Sequence, residues 1–221
     1  NNETGVVSDI AGIEAVLQAS GSRALWLVDC VQALGKLELN LAATRIDYAP
    51  FSGHKLYAPK GIGMLYVREG SPYTALMAGG GQEGGSRAGT ENMPGIAALG
   101  AVLDVLAQGG AGVFRSHAQL ARDRARLADA LRAAFPGVVF NMPFEGSLPT
   151  TLNFSVPGIS SKTLLNVFDA AGMRISAGSA CSAAKAEPSY VLQAMGLPEW
   201  QTLGAVRLSI GATVDDAVME E

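Results

Sequence analysis

Ser52-Gly53-His54-Lys55 follows the short run 46–51 and decides the reading of the whole chain. The run is largely apolar and is bounded by charge and glycine, as expected for a buried strand of an α/β sheet. Lysine thus stands just past a strand, beside a serine and a histidine. A second short run, residues 24–29, ends on a carboxylate in Leu27-Val28-Asp29-Cys30-Val31-Gln32, and Asp29 stands 26 positions before Lys55. A lysine ending one strand and a carboxylate ending another are what pyridoxal phosphate (PLP) requires. The amine anchors the cofactor through its aldehyde, and the carboxylate pairs with the protonated pyridine nitrogen. The bland alternative is an ordinary Gly-His-Lys turn with an exposed lysine. Asp29, Gln32 and a small-residue loop further along weigh against it.

Working outward, residues 62–67 form a third apolar run. Ile10, Ile13, Val16 and Leu17 have the spacing of an amphipathic helix. Strands alternating with helices predict an α/β fold with a mixed, mostly parallel sheet. A glycine-rich loop over 79–89 precedes a helix over 92–106. Gln108-Gly109-Gly110-Ala111-Gly112 marks a boundary, giving domains 1–108 and 109–221. The second begins with a helix over 114–135 that places Leu120, Leu127 and Leu131 on one face. Its arginines, alternating with Asp123 and Asp129, read as a solvated face rather than a nucleic-acid surface. A strand (150–156), a helix (160–171) and a short strand (173–175) follow. A small-residue loop over 176–187 carries Cys181, Pro188 opens another helix, and 206–210 forms a last strand.

The chain has 221 residues, 48% hydrophobic and 16% charged, with a formal net charge of −4. This is an ordinary globular composition, and the acidic balance argues against nucleic acid as a partner. No apolar run is long enough to span a membrane. Two cysteines, Cys30 and Cys181, fit a reducing, cytoplasmic compartment better than a disulfide framework. Two histidines, His54 and His117, and two cysteines lack metal-ligand spacing. Gly79-x-Gly81-x-x-Gly84 formally matches a dinucleotide fingerprint but lacks the strand-to-helix context, and no P-loop lysine follows it.

Seven stretches, in order, resemble the PLP-dependent cysteine desulfurases of the class V aminotransferase family. They are Asn1-Asn2-Glu3-Thr4-Gly5, Val28-Asp29-Cys30-Val31-Gln32, Phe51-Ser52-Gly53-His54-Lys55, Gly79-Gly80-Gly81-Gln82-Glu83, Arg87-Ala88-Gly89-Thr90-Glu91-Asn92, Gly178-Ser179-Ala180-Cys181-Ser182 and Arg207-Leu208-Ser209-Ile210-Gly211. The resemblance runs from residue 1 to about 217 and points to the group (group I) with the longer cysteine loop. It implies PLP-dependent transferase fold type I. Residues 1–108 would be the C-terminal part of the large PLP-binding domain, and 109–221 a small α+β domain.

By that resemblance Lys55 carries PLP, Asp29 holds the pyridine nitrogen and Gln32 bonds the ring's phenolic oxygen. Ser52 and His54 cradle the phosphate, and Thr90 reaches the phosphate of a neighbouring subunit, implying a homodimer. Asn2 and Arg207 bind the carboxylate of L-cysteine. Cys181 is the nucleophile, since only a thiolate attacks sulfur, and it would carry the persulfide to an acceptor such as an iron–sulfur scaffold or a tRNA-thiolation partner. Cys30, between Asp29 and Gln32, reads as core packing, and His117 as a surface residue. Gly84 and Ala212 stand where arginines are common in the family. The family's N-terminal portion, with a ring-stacking histidine and a second phosphate loop, lies outside the sequence, so the chain reads as a fragment. The alternatives are a selenocysteine lyase or another class V aminotransferase, and an inactive fragment or non-enzymatic sulfur carrier.

Overall fold

The structure is a computed structural model that describes residues 1–110, 112–178 and 188–220. It divides into two compact units, Asp9–Ala111 and Asn1–Ser8 with Gly112–Glu221. The change of unit falls in the glycine run after residue 108, and the first eight residues belong with the later unit.

In the unit 9–111, helix α1 (Ile10–Ala19) is started by Asp9, whose carboxylate accepts the Gly12 N–H at 2.9 Å. Strands β1 (Tyr48–Ser52) and β2 (Gly63–Val67) pair antiparallel, from Tyr48 opposite Val67 to Ser52 opposite Gly63. Residues 24–29 contribute one isolated parallel pair, Leu27 with Tyr48. Among the described residues the named strands pair antiparallel, and the parallel pairing expected of a mixed sheet is limited to that one isolated pair. The short link from Ser52 to Gly63 makes β1 and β2 a hairpin, since it cannot hold the crossover a parallel pair needs.

Cys30, Ile46 and Ala49 form one apolar cluster with Trp26, Val28 and Phe51 around them. Leu56, Ala58 and Leu99 form a second, covered by Leu103 and Leu106 of α2 (Met93–Ala107). Leu99, Val102, Leu103 and Leu106 recur at helical spacing, which lays one stripe of α2 on that cluster. Asn92 caps this helix by accepting the Gly95 N–H at 3.1 Å.

The other unit is built on an antiparallel sheet in the order β3 (Val139–Phe140), β4 (Thr151–Ser155), β5 (Val206–Ser209). Every residue of the central β4 is buried. Helices α3 (His117–Ala134) and α4 (Ser161–Ala170) cover it, and Ala128, Leu131, Leu152, Phe154, Leu164, Phe168 and Val206 make the core. A capping box starts α3, with the Ser116 N–H donating to Gln119 Oε1 at 2.8 Å and the Gln119 N–H to Ser116 Oγ at 3.3 Å.

Three expectations are corrected in this unit. Arg124 does not lie on a solvated face. It occupies the buried stripe of α3, and its guanidinium donates to Phe144 O at 2.8 Å, Leu148 O at 3.1 Å and Ser147 Oγ at 2.8 Å. Asp123 is also buried and pairs with Arg115 at 2.6 Å. The strand over 173–175 is reduced to an isolated pair at Ser176. Pro188 stands ahead of the cap rather than in the first turn. Ser189 takes the cap of α5 (Tyr190–Ala194) because its hydroxyl accepts the Leu192 N–H at 3.2 Å. Helices α6 (Glu199–Gly204) and α7 (Asp216–Glu220) complete the unit. Among the described residues no helix is long and apolar enough to cross a membrane.

Candidate active site

In the unit 9–111 the segment that ends at Asp29 pairs with the start of β1, the strand that precedes Lys55. The Val28 N–H donates to Tyr48 O at 2.9 Å, and the N–H groups of Asp47 and Tyr48 donate to Trp26 O at 2.9 and 3.2 Å. Residues 26–28 therefore run parallel to the start of β1. Asp29 and the turn after β1 leave this pair in the same, carboxyl-terminal direction, where ligands of α/β sheets bind. Asp29 is exposed, and its Oδ1 accepts the Val31 N–H at 2.9 Å, opening the turn that carries Gln32. Gln32 is half-buried, and its Oε1 accepts from the Lys36 amine at 2.6 Å. Cys30 between them is 3% exposed, and burial, reinforced by the Asp29 charge, pushes its thiol pKa up. That is the chemistry of an inert packing residue.

β1 ends at Ser52 and passes directly into a single 3-10 turn, Gly53–Leu56. Gly53 is required there by close approach. A Cβ would lie 2.8 Å from Ile62 Cγ2 and 2.9 Å from Ile62 O. Tyr57 closes the turn in the left-handed region, with φ 67°. Ser52 Oγ and His54 Nδ1 are hydrogen-bonded at 2.8 Å, which places a hydroxyl and an imidazole side by side ahead of the lysine. Lys55 is half-buried, and its amine has no ion-pair or hydrogen-bond partner among the described residues. Thr90 is exposed, two residues before the Asn92 cap of α2.

The other unit brings Asn2 and Arg207 together. Arg207 lies on β5 opposite Asn153 of β4, and its Nη1 donates to the Asn2 carbonyl at 2.7 Å. Its Nε is buried without a hydrogen-bond partner among the described residues. Burial lowers the Arg207 pKa, and the Glu3 charge works against that shift. An arginine stays protonated under either influence, so this is a partly desolvated cation. The backbone of Arg207 also exchanges hydrogen bonds with Ser176, at 2.6 and 3.0 Å. Cys181 lies outside the described residues.

Glu3 is the residue that the sequence reading missed. It is 1% exposed, accepts from the Ser189 hydroxyl at 2.5 Å, and sits one position from Asn2. Its place within Asn1-Asn2-Glu3-Thr4-Gly5 was visible, but its burial was not, because its neighbours in sequence are polar.

Residues 1–219 match the family described as aminotransferase class-V. The chain belongs to the class-V aminotransferase family. Within it, the chain is similar to "Cysteine desulfurase 2" of Trichormus variabilis, 41% identical over 221 residues, covering 100% of this chain and 54% of that protein. Its fold is similar to that of a solved "NifS-like protein", with a TM-score of 0.82 and 32% identity, covering 100% of this chain and 56% of that one. It is also similar to the structure of SspA in complex with cysteine, with a TM-score of 0.74 and 31% identity, covering 97% of this chain and 58% of that one. The chain spans about half the length of the curated relatives it matches. The class-V family is PLP-dependent, and the α/β architecture described above is that of its fold-type-I members.

Proposed function

We propose that the protein carrying this chain is a cysteine desulfurase that converts L-cysteine to L-alanine and leaves a persulfide on Cys181. The observation that carries the reading is the placement of Lys55. It is a half-buried amine without a partner among the described residues, set just past a strand end beside the Ser52–His54 pair, with Asp29 leaving the adjacent segment in the same direction. These residues fit PLP. Lys55 would hold the cofactor covalently, Asp29 would keep its ring nitrogen protonated, and Ser52 and His54 would offer donors to its phosphate. Lys36 occupies the carbonyl end of Gln32, which leaves the amide NH2 end as the donor for a ring oxygen. When bound, PLP supplies an electron sink for the substrate's α-carbon.

Arg207 and Asn2 take the substrate carboxylate. The Arg207 Nε, buried without a hydrogen-bond partner among the described residues, can donate to a bound acceptor, and a guanidinium fork matches a carboxylate in shape and charge. The thiolate of Cys181 attacks the substrate sulfur, so that the carbon–sulfur bond breaks as the sulfur–sulfur bond forms. The substrate carbon retains the electron pair and takes up a proton, ending as the alanine methyl group. The persulfide then passes to a thiol-bearing acceptor or an iron–sulfur scaffold. Residues 9–111 are read as a part of the large PLP-binding domain, and 112–221 with 1–8 as the small domain. Thr90 is read as a phosphate contact across a homodimer, in the cytoplasm.

The test is alanine release from L-cysteine by the PLP-loaded protein, with Cys181→Ser and Lys55→Ala as variants. Cys181→Ser is expected to keep the visible absorbance of lysine-bound PLP while losing the persulfide and sulfur release. Sulfur release that persists in Cys181→Ser would overturn the assignment.

A further inference from the structure

Buried carboxylates are costly unless they are hydrogen-bonded and paired with opposite charge, and Glu3 has three structural ties within its own unit. Its side chain accepts from Ser189 Oγ at 2.5 Å, its carbonyl accepts from Asn153 Nδ2 at 3.2 Å, and its N–H donates to Asn1 Oδ1 at 2.8 Å. Asn153 is the β4 partner of Arg207, and Arg207 in turn grips the carbonyl of Asn2, the residue before Glu3. The peptide carrying Asn2 is thus clamped from both sides, at Glu3 by Ser189 and Asn153 and at Asn2 by Arg207. The same carboxylate is the anion whose charge opposes the desolvation of the Arg207 guanidinium.

We infer that Glu3 is a positioning residue for substrate recognition: its buried bond to Ser189 holds the Asn2 backbone against Arg207 and so fixes the guanidinium for an amino-acid carboxylate. This rests on the proposed role of Asn2 and Arg207. Glu3 need not touch the substrate, because it acts through the peptide that Arg207 holds. Removing the carboxylate frees the strap at residues 2–3 and lets Arg207 sample other directions. Glutamine keeps an acceptor for Ser189 and preserves most of the hold. The hydrogen bond, more than the charge, therefore carries the effect.

The experiment compares Glu3→Ala and Glu3→Gln with the unaltered protein in two readouts. The first is the rate of Arg207 modification by phenylglyoxal in the absence of PLP, followed by mass spectrometry with Arg68 and Arg122 as internal references. The second is KM and kcat for alanine release by the PLP-loaded protein. Glu3→Ala is expected to speed Arg207 modification at least threefold and raise KM about tenfold, with kcat changed less than threefold and the lysine-bound PLP absorbance unchanged. Glu3→Gln is expected to stay within threefold of the unaltered protein in both. Asn153→Ala, which loosens the same strap at the Glu3 carbonyl, serves if Glu3→Ala does not fold and should move both readouts in the same direction. Unchanged Arg207 modification and KM in Glu3→Ala would overturn the inference. So would losses in which PLP content, kcat and KM worsen together, as for a merely destabilised fold. If the unaltered protein releases no alanine, the functional reading fails, while the Arg207 modification rates still decide whether Glu3 holds the strap.

Discussion

Replacing Gly53 by alanine puts a methyl group 2.8 Å from Ile62 Cγ2 and 2.9 Å from Ile62 O. The side-chain carbon can rotate away, but the carbonyl cannot, because it accepts the Gly53 N–H at 2.9 Å. Relieving the clash needs a backbone shift of about half an ångström at the start of the turn that carries Lys55. Overpacking of this kind costs about 1–3 kcal/mol. Hydrogen-exchange mass spectrometry reads that cost locally, without assuming one cooperative transition for two units. Amides that exchange through opening of β1–β2 and its turn should exchange about 5- to 150-fold faster in Gly53→Ala, at 1.4 kcal/mol per tenfold. The absorbance of lysine-bound PLP should fall at a fixed subsaturating cofactor concentration. Gly100→Ala is the control. It sits inside α2 with nothing within 4 Å of its added Cβ, so it should stabilise the helix by about 0.5–1 kcal/mol. Gly53→Ala exchanging at the unaltered rate with full cofactor binding would refute the reasoning.

Further outcomes follow from the same structure. Phe154→Ala removes a fully buried ring packed against Phe140 and Phe168, and should cost about 3–5 kcal/mol in urea unfolding of the unit that contains β4. Asn141→Ala should cost about 1–3 kcal/mol, since it leaves the buried amides of Gln201 and Asn153 without partners now at 2.7 and 2.8 Å; thermal unfolding reads it. Asp47 accepts from the Trp26 N–H at 2.7 Å and from Ser71 Oγ at 2.8 Å, and the Trp26 bond leads the causes that hold its pKa below the usual carboxylate value. Its stabilisation is complete above the unfolded-state pKa and is lost as pH falls through the lower folded value. Asp47→Asn should therefore be less stable than the unaltered chain at pH 7, with the gap closing at strongly acidic pH in urea titrations.

What was legible in the sequence was what short stretches encode. The Leu120–Leu131 face of α3 repeats at helical spacing and packs inward as that spacing predicts. The run before Ser52 becomes β1, and Cys30 is core. The antiparallel pairing of β1 with β2 was less legible, because the alternation of elements says nothing about the short link between them. Arg124 was misread for a related reason. A helical arginine flanked by charges has the pattern of a solvated residue, and only the loop over 144–148 supplies the carbonyls that make its burial tolerable.

The site divides along the same line. Lys55, His54 and Ser52 are neighbours in sequence, and Asp29 follows a segment that pairs in parallel with the start of β1. Asn2 and Arg207 are 205 positions apart, and Glu3 and Ser189 are 186 apart, so nothing local to either partner signals the contact. A carboxylate surrounded in sequence by asparagine and threonine reads as solvated. It is buried because Ser189 and Asn153 satisfy the polar groups that polar neighbours in sequence would otherwise leave to water. The residues proposed to hold the cofactor are thus written as a short motif, whereas those proposed to recognise the substrate carboxylate are written as a clamp between distant segments. Substitutions should separate accordingly. Changes near Lys55 act on PLP binding and leave the Asn2–Arg207 clamp intact, while changes at Glu3 loosen the clamp with the lysine turn undisturbed. Loss of both properties from either set of substitutions would refute that separation.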